Sequence, residues 1–536
     1  MVVKLCHRCR ASQVKTEDQT ITCVALEGGP CFPCRERKVI QEKIEQLEEE
    51  IIKLKAKDRA LGSRANEIHD PFIHKLPPEI GFHIFRLSLP TLDFEDFHLW
   101  DKAAAFTRVL RLGAVCRKWR ELAWATPDLW DTLYVRISPS QEHALVQWLP
   151  GLLREWLSRS GMRPLTIFFS YSGRSEESDS YDSSDESTLE PVADLVIQVI
   201  NLHSGRWQNL HLDVRADIPE RFCGSIQPNQ LLFLELRIDR RSPTPKFIMK
   251  SKPFPTQLAL TDFPPTRIDI GWDNVTRATL CRLTADECLE VLRRTPAVEY
   301  CLAKLCDDAT VDFGTTILPH LRSLDITSGG PNFLDAINVP LLEEWILSTH
   351  GWDRSPLPVT AMVSLLQRSA CCLKILNLQK IEPSQHLSDL FQAMPSLERL
   401  QLHFRLVNMH SDGIMNYILA QVFNSPPSDN TLPSEDASRK SFLPRLQFLE
   451  CTASSMKAPL FWNHIPQLYR QGHRHSLTLK STAKESHISY KTALELLALI
   501  DEGVDLQIFD ETTEGGGDFL DNFRKRFCRL SSLKRK

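Results

Sequence analysis

The residues best suited to chemistry stand at the start of the chain. Cys6 and Cys9 form one Cys-x-x-Cys pair, Cys31 and Cys34 a second, with 21 residues between them. A Cys-x-x-Cys turn brings two thiolates to one tetrahedral zinc, and two such pairs complete a closed structural site. The gap slightly exceeds the roughly 15–20 residues of the usual spacing. Cys6, Cys9, Cys31 and Cys34 are thus the metal-ligand candidates, for one structural zinc and no required cofactor. The competing reading is free thiols in a frayed terminus. Five of the fifteen cysteines fall in the first 34 residues, and the scattered remainder are expected to be small buried hydrophobes.

Catalytic constellations are missing. The chain has no Gly-x-Ser-x-Gly elbow, Walker loop, His-Glu-x-x-His or kinase string. Gly515-Gly516-Gly517 reads as a flexible loop, and His473 and His475 as strand-edge residues. A core aligned by aliphatics leaves little room for a buried acid–base pair, so the chain is not expected to be an enzyme.

The elements that must hold these residues fall into zones. At 536 residues, the chain has material for roughly three to four domains. Its 42% hydrophobic and 25% charged content is that of an ordinary globular protein. Lys plus Arg (64) against Asp plus Glu (68) gives −4, so no global field favours nucleic acid or membrane. No apolar run approaches the ~18 residues of a membrane span. Lys4, Arg8 and Arg10 occupy the place of a secretory apolar stretch. The expectation is a cytoplasmic or nuclear protein.

After the Cys-rich segment 1–35, residues 36–67 are dense in Glu and Lys. Ile40, Ile44, Leu47, Ile51, Leu54 and Leu61 recur there at steps of 4, 3, 4, 3 and 7, a heptad seam of about three repeats. His69-Asp70-Pro71 ends it. Residues 70–135 read as several short helices, the first beginning at Pro77-Pro78-Glu79. The stretch RLGAVCRKWRELAWATP predicts one helix with Leu112, Val115, Cys116, Trp119, Leu122 and Ala123 on one face. Residues 91–109 predict an extended connection.

From residue 145 to 515 one theme repeats. Short alternating strands recur: NLHLDV, LLFLELRI, QLALTDF, RATLCRL, VEYCLAKL, LRSLDIT, LEEWILS, LKILNLQ, LERLQLHF, LQFLECT, HSLTLK and VDLQIF. Several are about 20–30 residues apart with helical stretches between some, the period of a solenoid whose units bury their faces only against neighbours. An acidic, serine-rich insert over 172–190, with seven acids from Glu176 to Glu190, predicts disorder. Ser183, three residues before Glu186, stands either in a phosphorylation site or in a solvated spacer. A polar loop covers 424–441. The tail 516–536 carries seven Lys or Arg from Arg524 onward.

Leu76-Pro77-Pro78-Glu79-Ile80, Ile84-Phe85, Leu112, Val115-Cys116, Trp119 and Leu129-Trp130 together closely resemble the F-box motif of fungal F-box proteins. That resemblance implies a three-helix module docking on a Skp-type adaptor of a cullin-based ubiquitin ligase, through Leu76, Pro77, Pro78, Ile80, Ile84 and Phe85, with Val115 and Trp119 closing the interface or the internal core. The phrases at Leu318-Pro319, Met394-Pro395 and Leu443-Pro444 resemble leucine-rich repeats, with the Asn or Cys ladder position irregularly filled. In an F-box protein such an arm implies a protein substrate. CHRCRASQVKT…GGPCFPCRERKVIQ also resembles the fungal binuclear zinc-cluster family. Cys6, Cys9, Cys31 (or Cys23) and Cys34 match four of its six ligands, while Thr16 and a position near Gln41 replace the others. The expected fold is α/β: a Cys-rich segment, a long helix, an F-box module and an irregular leucine-rich-repeat-like solenoid. The expected function is substrate adaptor of a ubiquitin ligase. The alternative is a zinc-dependent DNA-binding regulator with a dimerisation helix, and nucleic acid is the less favoured partner.

Overall fold

Alternation of aliphatic and polar residues sets the side-chain rows of a strand two residues apart, so one face can be dry and the other wet. In the computed structural model the recurrent strands obey this rule. The structure describes residues 32–69, 76–92, 99–138, 143–171, 186–238, 245–306, 314–328, 330–348, 357–381, 387–404, 443–452, 465–466, 478–483, 489–510 and 524.

The helices in chain order are α1 (Phe32–His69), α2 (Pro78–Leu87), α3 (Leu99–Ala104), α4 (Arg108–Val115), α5 (Arg117–Trp124) and α6 (His143–Arg159). There follow α7 (Glu186–Asn201), α8 (Ala285–Arg294), α9 (Pro331–Asp335), α10 (Val359–Ser369), α11 (Leu387–Gln392) and α12 (Tyr490–Asp501). The strands begin with β1 (Thr132–Ile137), β2 (Leu165–Tyr171), β3 (Trp207–Val214), β4 (Phe233–Ile238), β5 (Phe247–Ile248) and β6 (Gln257–Thr261). Next come β7 (Ile268–Asp269), β8 (Arg277–Leu283), β9 (Tyr300–Leu305), β10 (Thr316–Ile317), β11 (Ser323–Thr327) and β12 (Ile337–Asn338). The series closes with β13 (Glu344–Ser348), β14 (Ile375–Ile381), β15 (Arg399–Phe404), β16 (Phe448–Thr452), β17 (Thr478–Ala483) and β18 (Leu506–Asp510). No described helix is long and apolar enough to cross a membrane.

The chain divides into two units, residues 1–87 with 110–124, and residues 88–109 with 125–536. In the second, fourteen strands form one sheet in the order β1-β2-β3-β4-β6-β8-β9-β11-β13-β14-β15-β16-β17-β18. Each described pair of neighbours is parallel. Two short parallel pairs, β5 with β7 and β10 with β12, lie in the connections. Parallel strands laid down in sequence order mean that every connection returns the chain to the next position, which is the path of a solenoid. The mixed α/β class and the helical N-terminal region agree with expectation, and all twelve predicted segments contain a strand of this sheet.

Registration is by rows. Leu210, Leu234, Leu258, Ala278, Cys301, Leu324, Trp345 and Leu376 stack in successive strands, as do Leu212, Leu236, Leu260, Leu280, Ala303, Ile326, Leu347 and Leu378. Both rows are buried throughout. Turns with proline at the second position feed several strands. Val298 N–H donates to Thr295 O, Leu321 to Leu318, Leu342 to Val339, Leu397 to Met394 and Leu446 to Leu443. Proline fixes the φ that such a turn needs there. At the far end of the strands Asp262, Arg282, Ser328 and Lys380 occupy equivalent positions, all with φ between 54° and 65°. The left-handed residue turns the chain out of the sheet at each of these coils, and the Arg282 guanidinium bonds the Asp262 carboxylate one coil away. Helix α8 shows how a connection is fixed. Thr284 and Glu287 form a reciprocal capping box at its start, and Cys288, Leu289, Val291 and Leu292 are buried.

Four expectations are corrected. The connection over 91–109 is not simply extended, since α3 and a 3₁₀ turn, Ala105–Thr107, occupy it. Trp100 and Phe106 supply the apolar contacts that make these turns worth forming. The helix expected over RLGAVCRKWRELAWATP is two helices broken at Cys116, whose thiol accepts the Trp119 N–H at 3.4 Å. The acidic insert expected to lack structure up to residue 190 gives way to α7 at Glu186, because Leu189, Ala193, Val196, Ile197 and Ile200 form a buried stripe. Residues 172–185, with Ser183, lie outside the described residues, as do 424–441. The sheet also begins before residue 145: β1 and β2 were not among the expected strands, and β1 overlaps the end of the expected helical zone 70–135. β1 alternates, with Arg136 exposed between buried Val135 and Ile137, while β2 buries Phe168 on its second face and so breaks the alternation that marks the others.

Because each aliphatic row spans many coils, removing one member opens a cavity between two neighbours. Leu324→Ala is expected to destabilise the protein by about 2–5 kcal/mol, measured as a fall in the urea midpoint. Thr284→Ala should cost only about 1 kcal/mol.

Candidate functional site

The chemistry of the first unit is that of an apolar helix face. Pro78 occupies the first turn of α2, where its missing N–H costs nothing, and Pro77 O accepts from Ile80 N–H at 3.0 Å. Glu79 lies at the positive end of the helix. Residues four apart share a face, and α2 has two such stripes. Gly81 and Phe85 are buried, and Phe85 packs its ring 4.9 Å from that of Trp119 in α5. Gly81 permits the approach of the helices: a Cβ there would stand 2.6 Å from Leu122 Cδ2. The neighbouring stripe faces outward, with Ile80 46 % and Ile84 41 % exposed; Leu76, two residues before α2, is 36 % exposed and Val115 at the end of α4 47 % exposed. In α5, Arg120 Nε donates to Gly113 O at 2.8 Å, which ties that helix to α4 across the break at Cys116.

Of the residues predicted to meet a partner, Leu76, Pro77, Pro78, Ile80, Ile84 and Val115 are exposed and Trp119 is half-buried. Phe85 is the correction. It is 2 % exposed and belongs to the interior of the helix pair, because one residue beyond Ile84 turns the side chain by about 100°. Cys6, Cys9 and Cys31 lie outside the described residues, while Cys34 falls within α1. Among the described residues no group of three or more His, Cys, Asp or Glu could hold a metal ion. Burial pushes the Cys301 thiol up to about 12 and raises Cys288 well above its ordinary value. Cys288 and Cys301 are the buried small hydrophobes expected, whereas Cys116, Cys223, Cys281 and Cys371 are half-buried and Cys306 and Cys372 exposed, against that expectation.

The second unit offers a broad surface. Between the two buried rows of the sheet runs a third, on the opposite face: Ala259, Thr279, Leu302, Asp325, Ile346, Asn377 and Gln401, each half-buried. At its N-terminal end this face is closed by aromatics. Trp100 of α3 stands edge-on to Phe168 at 5.3 Å and to Tyr134 at 6.5 Å.

Under Trp100 lies a pair that no local pattern announces. His211 Nδ1 and Glu235 Oε2 are 2.7 Å apart on adjacent strands, both buried. The imidazole is stacked between Phe168 at 4.1 Å and Phe233 at 4.7 Å. The expectation that no buried acid–base pair would fit overlooked the sheet's second face. Burial raises the Glu235 carboxyl, but the hydrogen bond and charge of His211, then Arg237 and the Trp100 indole, together hold it below its ordinary value. His211 is fully buried, and the contact joins β3 to β4 at the register that sets His211 opposite Glu235. A pairing of His211 with the residue opposite it on β4 was the only signal, and it needed the register.

Two outcomes test these arrangements. Phe85→Ala should cost about 3–5 kcal/mol and disrupt the helix pair, whereas Ile84→Ala should leave its circular dichroism and melting unchanged. A carboxyl whose folded pKa is depressed stabilises above its unfolded value and loses that contribution as pH falls through the folded one. Glu235→Gln should therefore lower stability at neutral pH by about 1–3 kcal/mol and flatten its decline below pH about 4.5, read as melting temperature across an acid titration.

Comparison with known proteins agrees with the helical geometry. No curated protein matches the chain. Residues 73–136 match the family model described as F-box-like, a span that includes α2, α3, α4 and α5 and the exposed residues Leu76, Ile80, Ile84 and Val115. The chain therefore carries an F-box-like domain at residues 73–136.

Proposed function

We propose that this protein is a non-catalytic substrate adaptor of a cullin-type ubiquitin ligase, joined to the ligase through its F-box-like domain and to a target protein through the open face of its sheet. F-box domains generally bind Skp-type adaptors. The observation that carries the reading is the outward stripe of α2. Leu76, Ile80 and Ile84 stand half in water beside a stripe already sealed by Phe85 and Gly81, and covering each would contribute up to about 1.5–3 kcal/mol. A contiguous apolar patch of this kind marks a partner surface. Pro77 and Pro78 fix the entry of the stripe, Val115 offers a further exposed aliphatic on α4, and Trp119 supports the helix from behind through Phe85.

The sheet face supplies the second half of the reading. Leu302 and Ile346 give it apolar anchors, and Lys304, Asp325, Asn377 and Gln401 give it charge and hydrogen-bonding groups. That mixture suits a folded protein or an extended peptide better than a small molecule. The leucine-rich-repeat character of the arm is part of this proposal, and rests on the sequential parallel strands and their proline turns.

The test is co-purification of the full chain with a Skp-type adaptor. The wild type should retain the adaptor, and Leu76→Ala combined with Ile84→Ala should reduce retention at least tenfold with the melting curve unchanged. Equal retention by the double variant would remove the proposal.

A further inference from the structure

Helix α1 extends for 38 residues, about 57 Å, and every side chain described in it is exposed. Its apolar residues are nevertheless ordered. Leu47, Leu54 and Leu61 stand at successive d positions of a heptad and Ile44 and Ile51 at a, three residues before Leu47 and Leu54, with Ile40 and Ile68 at the flanking d positions. All seven are at least 42 % exposed. A polar, exposed helix of this length does not owe its stability to its own chain's core. Lys53 pairs with Glu49 at 2.7 Å along the helix, on positions away from the seam.

We infer that α1 is the interface for a second copy of this chain, forming a parallel, in-register two-stranded coiled coil. This goes beyond the adaptor reading and does not rest on it. Three observations select the occupant. Isoleucine at a with leucine at d is the combination that favours two parallel strands. In that arrangement each g residue faces the e residue five positions on in the other copy. Lys43 then meets Glu48 of the second copy, and Glu50 meets Lys55, each attraction occurring twice by symmetry. The parallel register also carries the seam beyond Leu61 to Ile68, which is exposed as well. Asp58 holds the next a position and would face its own copy, so the apolar contact runs from Ile44 to Leu54 and resumes at Leu61.

Sedimentation equilibrium of the full chain at tens of micromolar should give twice the chain mass. Leu47→Asp with Leu54→Asp should give a monomer that still unfolds like the wild type. Glu48→Lys with Lys55→Glu should dimerise at least tenfold more weakly, since both g–e′ pairs become repulsive. Lys43→Glu with Glu50→Lys should do the same, and mixing these two charge variants should restore a heterodimer, because all four pairs are then attractive. An antiparallel pair would set Glu48 against Lys55 and Lys43 against Glu50, and each charge variant alone would keep its attractions. A monomeric wild type, a higher oligomer, a dimer that survives the aspartates, or charge variants that dimerise like the wild type would each overturn the inference.

Discussion

A row of leucines in a single strand has nothing to pack against until the next strand repeats it. This constraint governs the large unit of the protein. Each coil contributes two inward positions, and those positions stack from β3 through β14 as Leu, Ile, Ala, Cys or Trp. The stacking transfers both rows from water together, and parallel ladder bonds satisfy the backbone at the same time. Variation in coil length is absorbed by the connections, which include helices, 3₁₀ turns and two short accessory strand pairs. Two devices recur at several of the coils, entry by a proline turn and exit through a left-handed residue.

The consequence for function is that the opposite face is free to differ from coil to coil. Its N-terminal strands are sealed by Trp100 over Phe168 and His211, and His211 Nδ1 meets Glu235 Oε2 there. Farther along, the same row changes from aromatic to a mixture of aliphatic and polar side chains. A fold whose stability resides in one face thus presents a surface on the other that substitution can tune with little cost to folding.

The first unit works by division of a small helix into stripes. Gly81 and Phe85 close it against Leu122 and Trp119, and that packing leaves Leu76, Ile80 and Ile84 outward. A module this small cannot enclose all its apolar residues. The exposed stripe is thus a property of size as well as of sequence, and it coincides with the segment matching the F-box-like family.

The sequence by itself determined the repeating strands, since period-two alternation and proline turns are local signals, and it determined the F-box-like string and the heptad seam of α1. Tertiary structure decided what local signals could not carry. β2 buries Phe168 on its second face and so breaks alternation, and α3 forms because its tryptophan has a sheet to cover. Ile84 and Phe85 read alike as apolar letters, and only the packing of α2 on α5 set one outside and the other in. The meeting of His211 with Glu235 depended on strand register, which places residues 24 apart in contact at 2.7 Å. Contacts across such separations are selected by the summed burial of many coils, and no short stretch of sequence contains that sum.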